Sequence, residues 1–122
     1  MMKPWEKLRA WEACHRLWIE VFRAAQSWPA SERYGIAAQI KRAALSAGAN
    51  IAEGVARKGS RDCARHFNIA VGSLAEVAYI LRAARDVELL NVSDYERLDA
   101  LQDAAGGLTM ALYRGLQRRI KQ

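Results

Sequence analysis

The sequence contains few of the residues that interrupt helices or cross-link a chain. Its 122 residues include two prolines and two cysteines, and no proline follows Pro29. The turn pairs Asn-Gly, Asp-Gly and Gly-Pro are absent, which argues against an all-β fold built from tight hairpins. No run of 18 apolar residues occurs, so we expect no membrane span. Two cysteines and no N-terminal apolar export segment predict reduced thiols in a cytoplasmic protein.

The composition that remains favours helices. Hydrophobic residues make up 52% of the chain, and 23 residues are alanine, the strongest helix former. A chain of this length fits one domain and buries enough surface to fold without cross-links. The formal net charge is +6, which favours an anionic partner such as RNA or DNA. A charge of this size is also common in basic proteins that bind no polyanion.

Four helical segments can be read in a single domain that spans residues 1–122. They run over about residues 4–27, 32–56, 61–89 and 94–120. Pro29 marks the first break, and two glycines within 54–59 mark the second. Short connections between long helices place successive helices antiparallel to each other. The sequence therefore predicts an all-α, antiparallel up-down-up-down four-helix bundle.

Serine residues at the predicted helix starts are candidate N-caps. Ser31 and Ser60 stand at the starts of the second and third segments. Ser93 and Glu96 have the spacing of a capping box, in which each side chain bonds to the other residue's backbone N–H. We expect the last three helices to begin directly after these serines.

The first segment carries more apolar surface than one bundle helix needs. One stripe at helical spacing consists of Ala10, Cys14, Leu17, Val21 and Ala24. A neighbouring stripe consists of Leu8, Trp11, Trp18 and Phe22. Together they cover about half of the helix circumference, whereas a bundle helix needs an arc of only about 100°. Either long side chains cover a thick core, or the second stripe is buried in a homo-oligomer, which the large aromatic side chains favour.

Polar residues at helical spacing run along the second segment, and a related group lies on the third. The set comprises Gln39, Arg42, Ser46, Asn50, Glu53, Ser73 and Glu76. We interpret it as a structural polar network between two helices, for example through an Arg42–Glu76 ion pair. The alternative is a catalytic site that uses Glu53 and Glu76. Since such networks are commonly structural, we predict no catalytic residue and no enzyme activity.

Gly72, which precedes Ser73, predicts a close approach of two helices at that point. Glycine inside a helix costs about 1 kcal/mol relative to alanine, so a packing reason is expected for it.

The cysteine and histidine residues make a poor metal or nucleophile site. Cys63 and His66 are three residues apart, and Cys14 directly precedes His15. Adjacent helical residues point about 100° apart, so the four side chains cannot easily share one metal ion. Glycine loops for phosphates and dinucleotide fingerprints are absent. We therefore predict neither a metal ion nor a cofactor.

Two groups of basic residues are the candidate nucleic-acid contacts, one around the second connection and one at the end of the fourth segment. With Lys41, they comprise Arg57, Lys58, Arg61, Arg65, Arg114, Arg118 and Arg119. A glycine-containing loop with cations suits phosphates, whereas the C-terminal group also fits the ordinary preference of cations for a helix C-terminus. We expect the two groups at opposite ends of the bundle. Few aromatic residues accompany them, so base stacking is not expected.

Several motifs resemble the 23S rRNA intervening-sequence protein family, a group of small bacterial four-helix-bundle proteins. The motifs, which cover most of the chain, are Pro29, Ser31-Glu32-Arg33-Tyr34-Gly35, Gln39-Ile40-Lys41-Arg42-Ala43, Ser46, Asn50-Ile51-Ala52-Glu53-Gly54 and Gly72-Ser73-Leu74-Ala75-Glu76. The sequence departs from the family at Ala47-Gly48-Ala49, where a bulkier aliphatic residue and often a proline are usual. Small residues there permit a straighter helix or closer packing.

The resemblance implies properties that the residues alone do not give. The chain is similar to the accessory protein of diversity-generating retroelements, a basic pentameric bundle that associates with a reverse transcriptase and nucleic acid. This likeness implies a homo-oligomer, with five copies as the suggested number, and RNA, DNA or a reverse transcriptase as partners. It implies no catalytic activity. The alternative function is a protein–protein interaction scaffold with no nucleic-acid role.

Overall fold

The structure, a computed structural model, describes every residue from Met1 to Gln122 and contains no strand. Its four long helices are α1 (Arg9–Gln26), α2 (Ile36–Ala56), α3 (Ser60–Asp86) and α4 (Val92–Lys121). Each helix packs on two neighbours, so that α1, α2, α3 and α4 form a closed square in chain order. The predicted all-α, up-down-up-down four-helix bundle is confirmed.

The core is formed by large aliphatic side chains that alternate with alanine. Among the largest fully buried side chains are Leu17, Ile40, Ile51, Leu74, Leu81 and Leu98. Alanines from all four helices are also inaccessible, which lets the helix backbones approach closely. α3 is long and apolar enough, by length and composition alone, to cross a membrane, and it contributes ten buried residues to this bundle.

Helix α2 runs without interruption through Ala47, Gly48 and Ala49. A Cβ atom added to Gly48 would lie 3.6 Å from the indole nitrogen of Trp11 and 3.8 Å from Cβ of Cys14. The small residues of this stretch therefore allow the side chains of α1 to pack directly on the α2 backbone.

The helices begin at positions that differ from the predicted caps. Residues Ala30–Glu32 form a separate 3₁₀ turn, so Ser31 caps nothing and α2 begins at Ile36 after Gly35. Asn91 caps α4, because its side-chain oxygen accepts a 2.7 Å hydrogen bond from the backbone N–H of Asp94. The predicted capping box at Ser93 is wrong, since this residue lies inside the first turn. Asparagine is as good an N-cap as serine, and Asn91 stands two residues before Ser93.

The first and third helices also differ slightly from the prediction. Pro4–Lys7 form a short 3₁₀ helix, and the extended backbone of Leu8 separates it from α1. Ser60 is the first residue of α3, and the cap position before it is occupied by Gly59. α3 ends at Asp86, three residues earlier than predicted. Beyond it, Glu88 has a left-handed backbone with φ of 64°, and the N–H groups of the two leucines that follow bond to the Ala84 carbonyl.

Candidate nucleic-acid interface

The antiparallel order of the helices gathers three parts of the chain at one end of the bundle. We call this end the basic pole and define it as residues 1–9, 53–66 and 112–122. These segments carry eleven Lys and Arg residues against three Asp and Glu residues, a net charge of +8. The rest of the chain carries eight basic and ten acidic residues, a net charge of −2. The moderate charge of the whole chain therefore conceals a strong separation of charge between the two ends.

The expectation that the two basic groups lie at opposite ends was wrong. Arg61 and Arg65 of α3 line one surface cleft together with Tyr113 and Gln117 of α4. Arg119 of α4 lines a second cleft with Leu8, Val55 and Cys63. The reason is topological, because in an up-down-up-down bundle the fourth helix ends where the second helix ends and the third begins.

Most of the predicted contact residues in the basic pole are free of ion pairs. The guanidinium of Arg57 lies 3.5 Å from the Glu53 carboxylate and 3.6 Å from the Asp62 carboxylate. The guanidinium of Arg65 lies 3.1 Å from the Asp62 carboxylate. These pairs are solvent-exposed, and such pairs contribute little to stability. The other five predicted contact residues in the basic pole have no carboxylate within 4.0 Å and are exposed: Lys58, Arg61, Arg114, Arg118 and Arg119.

Lys41, the remaining predicted contact residue, lies outside the basic pole. Its ammonium nitrogen lies 4.5 Å from the ring centroid of Phe22 and donates a 3.1 Å hydrogen bond to the Gln26 side chain. Both partners are in the second half of α1, next to the α1–α2 connection. Lys41 therefore holds two helices together on the side of the bundle away from the basic pole.

The polar network between α2 and α3 is shorter than predicted. The hydroxyl groups of Ser46 and Ser73 share a 2.9 Å hydrogen bond. Asn50 donates to the carbonyl and the hydroxyl of Ser46 at 2.9 and 3.1 Å. The ring nitrogen Nδ1 of His66 lies 3.0 Å from the side-chain oxygen of Asn50. These four residues form one chain of hydrogen bonds.

His66 is the member of the network that was not predicted, because the sequence suggested only a metal or nucleophile role for it. Its ring is buried, and its Nε2 accepts a 3.3 Å hydrogen bond from the Arg65 guanidinium. An arginine can only donate, so this contact requires a lone pair on Nε2 and a proton on Nδ1, which then donates to Asn50. The network thus connects the interior of the bundle to a cation of the basic pole.

The remaining predicted members of the network lie outside it. Gln39, Arg42 and Glu76 are exposed and make no side-chain hydrogen bond or ion pair. The suggested Arg42–Glu76 ion pair is therefore absent. Glu53 contacts Arg57 and approaches His66 at 3.7 Å, which is longer than a hydrogen bond. Helical spacing predicts a common polar stripe for these residues. The stripe extends beyond the contact between α2 and α3, so its outer members face solvent.

The close approach predicted at Gly72 occurs instead at Gly54. A Cβ atom on Gly72 would meet nothing within 4 Å, so that glycine faces open space. A Cβ atom on Gly54 would lie 2.9 Å from the Phe67 ring and 3.1 Å from Cβ of His66. Gly54 therefore lets α2 and α3 converge just below the basic pole.

The structure does not bring the two candidate catalytic carboxylates together. Glu53 lies near His66, whereas Glu76 lies beyond Ser73 toward the other end of the bundle. Neither residue lines any of the five main surface clefts. No group of three His, Cys, Asp or Glu side chains is placed to hold a metal ion.

The two cysteines are free thiols in different surroundings. Burial raises the pKa of Cys14 to about 11, and its 3.6 Å contact with the Thr109 hydroxyl opposes this effect. Burial, with a smaller effect from the Asp62 carboxylate, also raises the pKa of Cys63. Because the thiolate is the reactive form, both cysteines are weak nucleophiles at neutral pH.

A second surface feature lies between α1 and α2, on a side face of the bundle. Trp11, His15, Trp18 and Phe22 follow one another along α1 with ring centroids 4.8, 5.7 and 5.7 Å apart. Trp5 and the exposed Leu45 lie beside these rings. We call the surface formed by the six residues the aromatic face. A groove of about 220 Å³ runs along it over the small residues of α2. The wide apolar arc predicted for the first helix thus reaches the surface as aromatic rings.

Comparisons with known proteins agree with this architecture. A solved structure from Bacteroides thetaiotaomicron, described as a protein with unknown function from the S23 ribosomal protein family, superimposes with a TM-score of 0.77. The two proteins are 19% identical over 85% of this chain and 97% of that one, a likeness that shows the fold. No curated protein matches the sequence. The sequence model of the 23S rRNA-intervening sequence protein family matches residues 6–109, and the chain therefore belongs to that family.

Proposed function

We propose that this protein is a non-enzymatic accessory protein of the cytoplasm that binds RNA or DNA through its basic pole. The observation that carries the proposal is the separation of charge, +8 at the basic pole and −2 in the rest of the chain. A cluster of cations on one surface raises the local concentration of a polyanion and speeds its association. Phosphate contacts of this kind position a strand without reading its sequence.

The geometry of the basic pole suits a backbone of phosphates. Its cations come from residues 1–9, from the α2–α3 connection and from the last turns of α4, and five of the seven predicted contact residues in the basic pole have no carboxylate partner. Each exposed cation that meets a phosphate releases a bound counterion, so affinity should fall steeply with salt.

We also propose that copies of the chain assemble through the aromatic face into a homo-oligomer. Large aromatic side chains dominate stable interfaces, and this face carries three of the four tryptophans. A ring would present several basic poles at once, and simultaneous contacts would increase the overall affinity without any new contact. Five copies and a reverse transcriptase as protein partner are the forms that the resemblance suggests.

The test is a titration of a structured RNA and of a duplex DNA across a salt series. The variant replaces Arg61, Arg65, Arg118 and Arg119 by alanine. The control variant replaces four exposed arginines outside the basic pole: Arg23, Arg33, Arg42 and Arg82. Both variants lose the same charge. We expect the first to flatten the slope of log K against log salt by about 3 to 4, at about 0.9 per lost phosphate contact, and the control to leave it unchanged.

Two results would contradict the proposal. One is an absence of binding by the wild-type protein at low salt. The other is an equal loss of affinity in both variants, because net charge rather than the basic pole would then control binding. Circular dichroism of each variant checks that the helices are retained.

A second candidate function is a protein-interaction scaffold without a nucleic-acid role, and the aromatic face favours it. Such a partner would remain bound at high salt, since burial of apolar surface does not depend on screened charges. Co-purification from the native host at 0.1 and 1 M salt, which correspond to Debye lengths of about 10 and 3 Å, separates the two functions. Only a nucleic-acid partner should be lost at the higher salt.

A further inference from the structure

The cleft between α3 and α4 in the basic pole has a composition unlike the rest of that surface. It has a volume of about 220 Å³ and is lined by Arg61, Ala64, Arg65, Asn68, Tyr113, Gln117 and Ile120. Two guanidinium groups, two side-chain amides and one phenol therefore meet at a single depression. Tyr113 lies on α4 and the two arginines lie on α3, so they meet only because these two helices pack together.

The two arginines of the cleft differ in how firmly their side chains are held. The Arg65 guanidinium lies 3.1 Å from the exposed Asp62 carboxylate and donates a 3.3 Å hydrogen bond to the buried His66 ring, and the second contact ties it to the network between α2 and α3. Arg61 has neither an ion pair nor a side-chain hydrogen bond. The cleft thus has one positioned guanidinium and one free guanidinium for an anion, a single turn apart on α3.

The amide and phenol groups that line the cleft have unused hydrogen-bond donors and acceptors. Gln117 donates a 3.0 Å hydrogen bond to the Tyr113 hydroxyl, so the Gln117 carbonyl oxygen and the Tyr113 hydroxyl proton are unused. Asn68 is exposed and makes no side-chain hydrogen bond, so its donors and its acceptor are both free. Asn and Gln side chains can pair with the edge of a nucleobase through a donor and an acceptor together.

We propose that this cleft binds one unpaired nucleotide of a nucleic-acid strand, with the phosphate on Arg61 and Arg65 and the base between Tyr113 and the two amides. The proposal rests on the proposed function of the basic pole and names the part of the strand that it holds. Unstacked bases in single strands and loops are recognised by aromatic side chains and by contacts to their edges. The volume is below the roughly 300–1,000 Å³ of pockets for drug-sized ligands, which suits a single planar base.

The experiment compares strands of equal length at equal salt. A 12-nucleotide single-stranded RNA, the same sequence as DNA, and the corresponding RNA duplex are titrated with wild-type protein. Duplexes have the higher charge density, so a purely electrostatic surface would favour the duplex. We expect the single strand to bind at least tenfold more tightly. The RNA and DNA arms show whether the sugar matters.

Three variants locate the effect. Tyr113→Leu and Asn68→Ala change the base side of the cleft, and Tyr79→Leu removes an exposed tyrosine elsewhere on α3. Asn68 is exposed, so its replacement tests the cleft even if Tyr113→Leu weakens packing. We expect Tyr113→Leu to lower single-strand affinity about tenfold and Asn68→Ala to lower it a few-fold, with the salt slope and duplex affinity unchanged. Tyr79→Leu should change nothing.

The outcomes distinguish the nucleotide cleft from the nucleic-acid binding proposed for the basic pole as a whole. Equal affinity for single strand and duplex, or unchanged single-strand binding in both cleft variants, overturns the nucleotide cleft and leaves the basic pole as a phosphate surface. Failure of every strand to bind at low salt overturns both. A wild-type preference for the single strand that Tyr113→Leu and Asn68→Ala reduce, and Tyr79→Leu does not, supports the cleft.

Discussion

The basic pole and the aromatic face occupy the same bundle but are built from opposite kinds of side chain. In the basic pole, exposed arginines and lysines project from helix ends and from a connection, and nine of the eleven pair with no carboxylate. On the aromatic face, rings stack along the middle of α1 over the small residues of α2. Salt weakens contacts made by exposed cations and leaves apolar burial nearly unchanged. The two surfaces can therefore be tested independently.

The comparison also shows why the average charge is a poor guide to this protein. A net charge of +6 is moderate, but eleven of the nineteen basic residues lie in the three segments that meet at one end. The acidic residues are concentrated near the α3–α4 connection, at the far end of the bundle. A helical bundle turns positions in sequence into positions along one axis, so its charge distribution follows from the order of its helices.

The largest effect is expected from a charge placed on the aromatic face. Trp18→Glu should convert the proposed oligomer into monomers, because truncation of a central interface tryptophan typically costs about 2–4 kcal/mol, or ~30–1,000-fold in dissociation constant. Size exclusion with light scattering measures the mass at 0.1 and 0.5 M salt. The wild-type mass should not depend on salt, and Tyr79→Glu on α3 is the matched control.

This variant also separates the two surfaces. The Trp18→Glu monomer should keep a salt-dependent affinity for RNA through its basic pole but lose the gain from simultaneous contacts. A wild-type protein that is already monomeric at working concentration would refute the assembly. A variant that stays oligomeric would exclude the aromatic face as its interface.

The two thiols provide a second comparison, since Cys14 lies beneath the aromatic face and Cys63 lies in the basic pole. Burial raises the pKa of Cys14 from an ordinary value of 9.0 to about 11. The unfolded chain therefore ionises at lower pH than the folded one. The protonated Cys14 thiol therefore contributes to the free energy of unfolding fully below pH 9. This contribution, ~3 kcal/mol in total, is lost as the pH rises to about 11.

Urea unfolding between pH 7 and 11 tests this expectation, with Cys14→Ala as the reference protein. The difference in unfolding free energy between wild type and the variant should decrease with pH over the interval from 9 to 11. A constant difference would show that the thiol is not desolvated in the folded state. At pH 8, a thiol reagent should modify the half-buried Cys63 before it reaches Cys14.

Much of this fold can be predicted from the sequence because its signals are local. Alanine content, the position of Pro29 and the spacing of apolar residues depend on neighbours along one helix, and they predicted four helices in the right order. The aromatic stripe of α1 was visible for the same reason. The family resemblance was carried by short motifs, and the family model confirms it over residues 6–109.

The features that the sequence did not reveal depend on contacts between helices. Ser31 lies in a separate 3₁₀ turn and Asn91 caps α4 in place of Ser93, so a polar residue near a helix start does not by itself identify the cap. His66 and Gly54 acquire their roles only where α2 and α3 converge. The two basic groups meet because α4 ends where α2 ends and α3 begins, and the cleft at Tyr113 is lined by side chains from two helices.

A third prediction concerns the glycine under the basic pole. Gly54→Ala should lower the free energy of unfolding by about 1–2 kcal/mol, because the cost of overpacking Phe67 exceeds the helix propensity gained. Gly72→Ala, which meets open space, should raise it by about 0.5–1 kcal/mol. Thermal and urea unfolding measure both. If both variants stabilise the protein, the α2–α3 approach at Gly54 is looser than described.

The smallest effect belongs to the network that lies between the two surfaces. Ser46→Ala and Ser73→Ala should each cost about 1 kcal/mol, since each removes the 2.9 Å hydrogen bond between the two hydroxyl groups. The double variant should cost less than the sum, with a coupling of about 0.5–1.5 kcal/mol, because both substitutions remove the same hydrogen bond. The matched cycle on Arg42→Ala and Glu76→Ala should show single effects within about 0.5 kcal/mol and no coupling, since these exposed side chains do not meet. Coupling in the second cycle and none in the first would mean that the stripe predicted from helical spacing, and not the shorter chain of four hydrogen-bonded residues, joins α2 to α3.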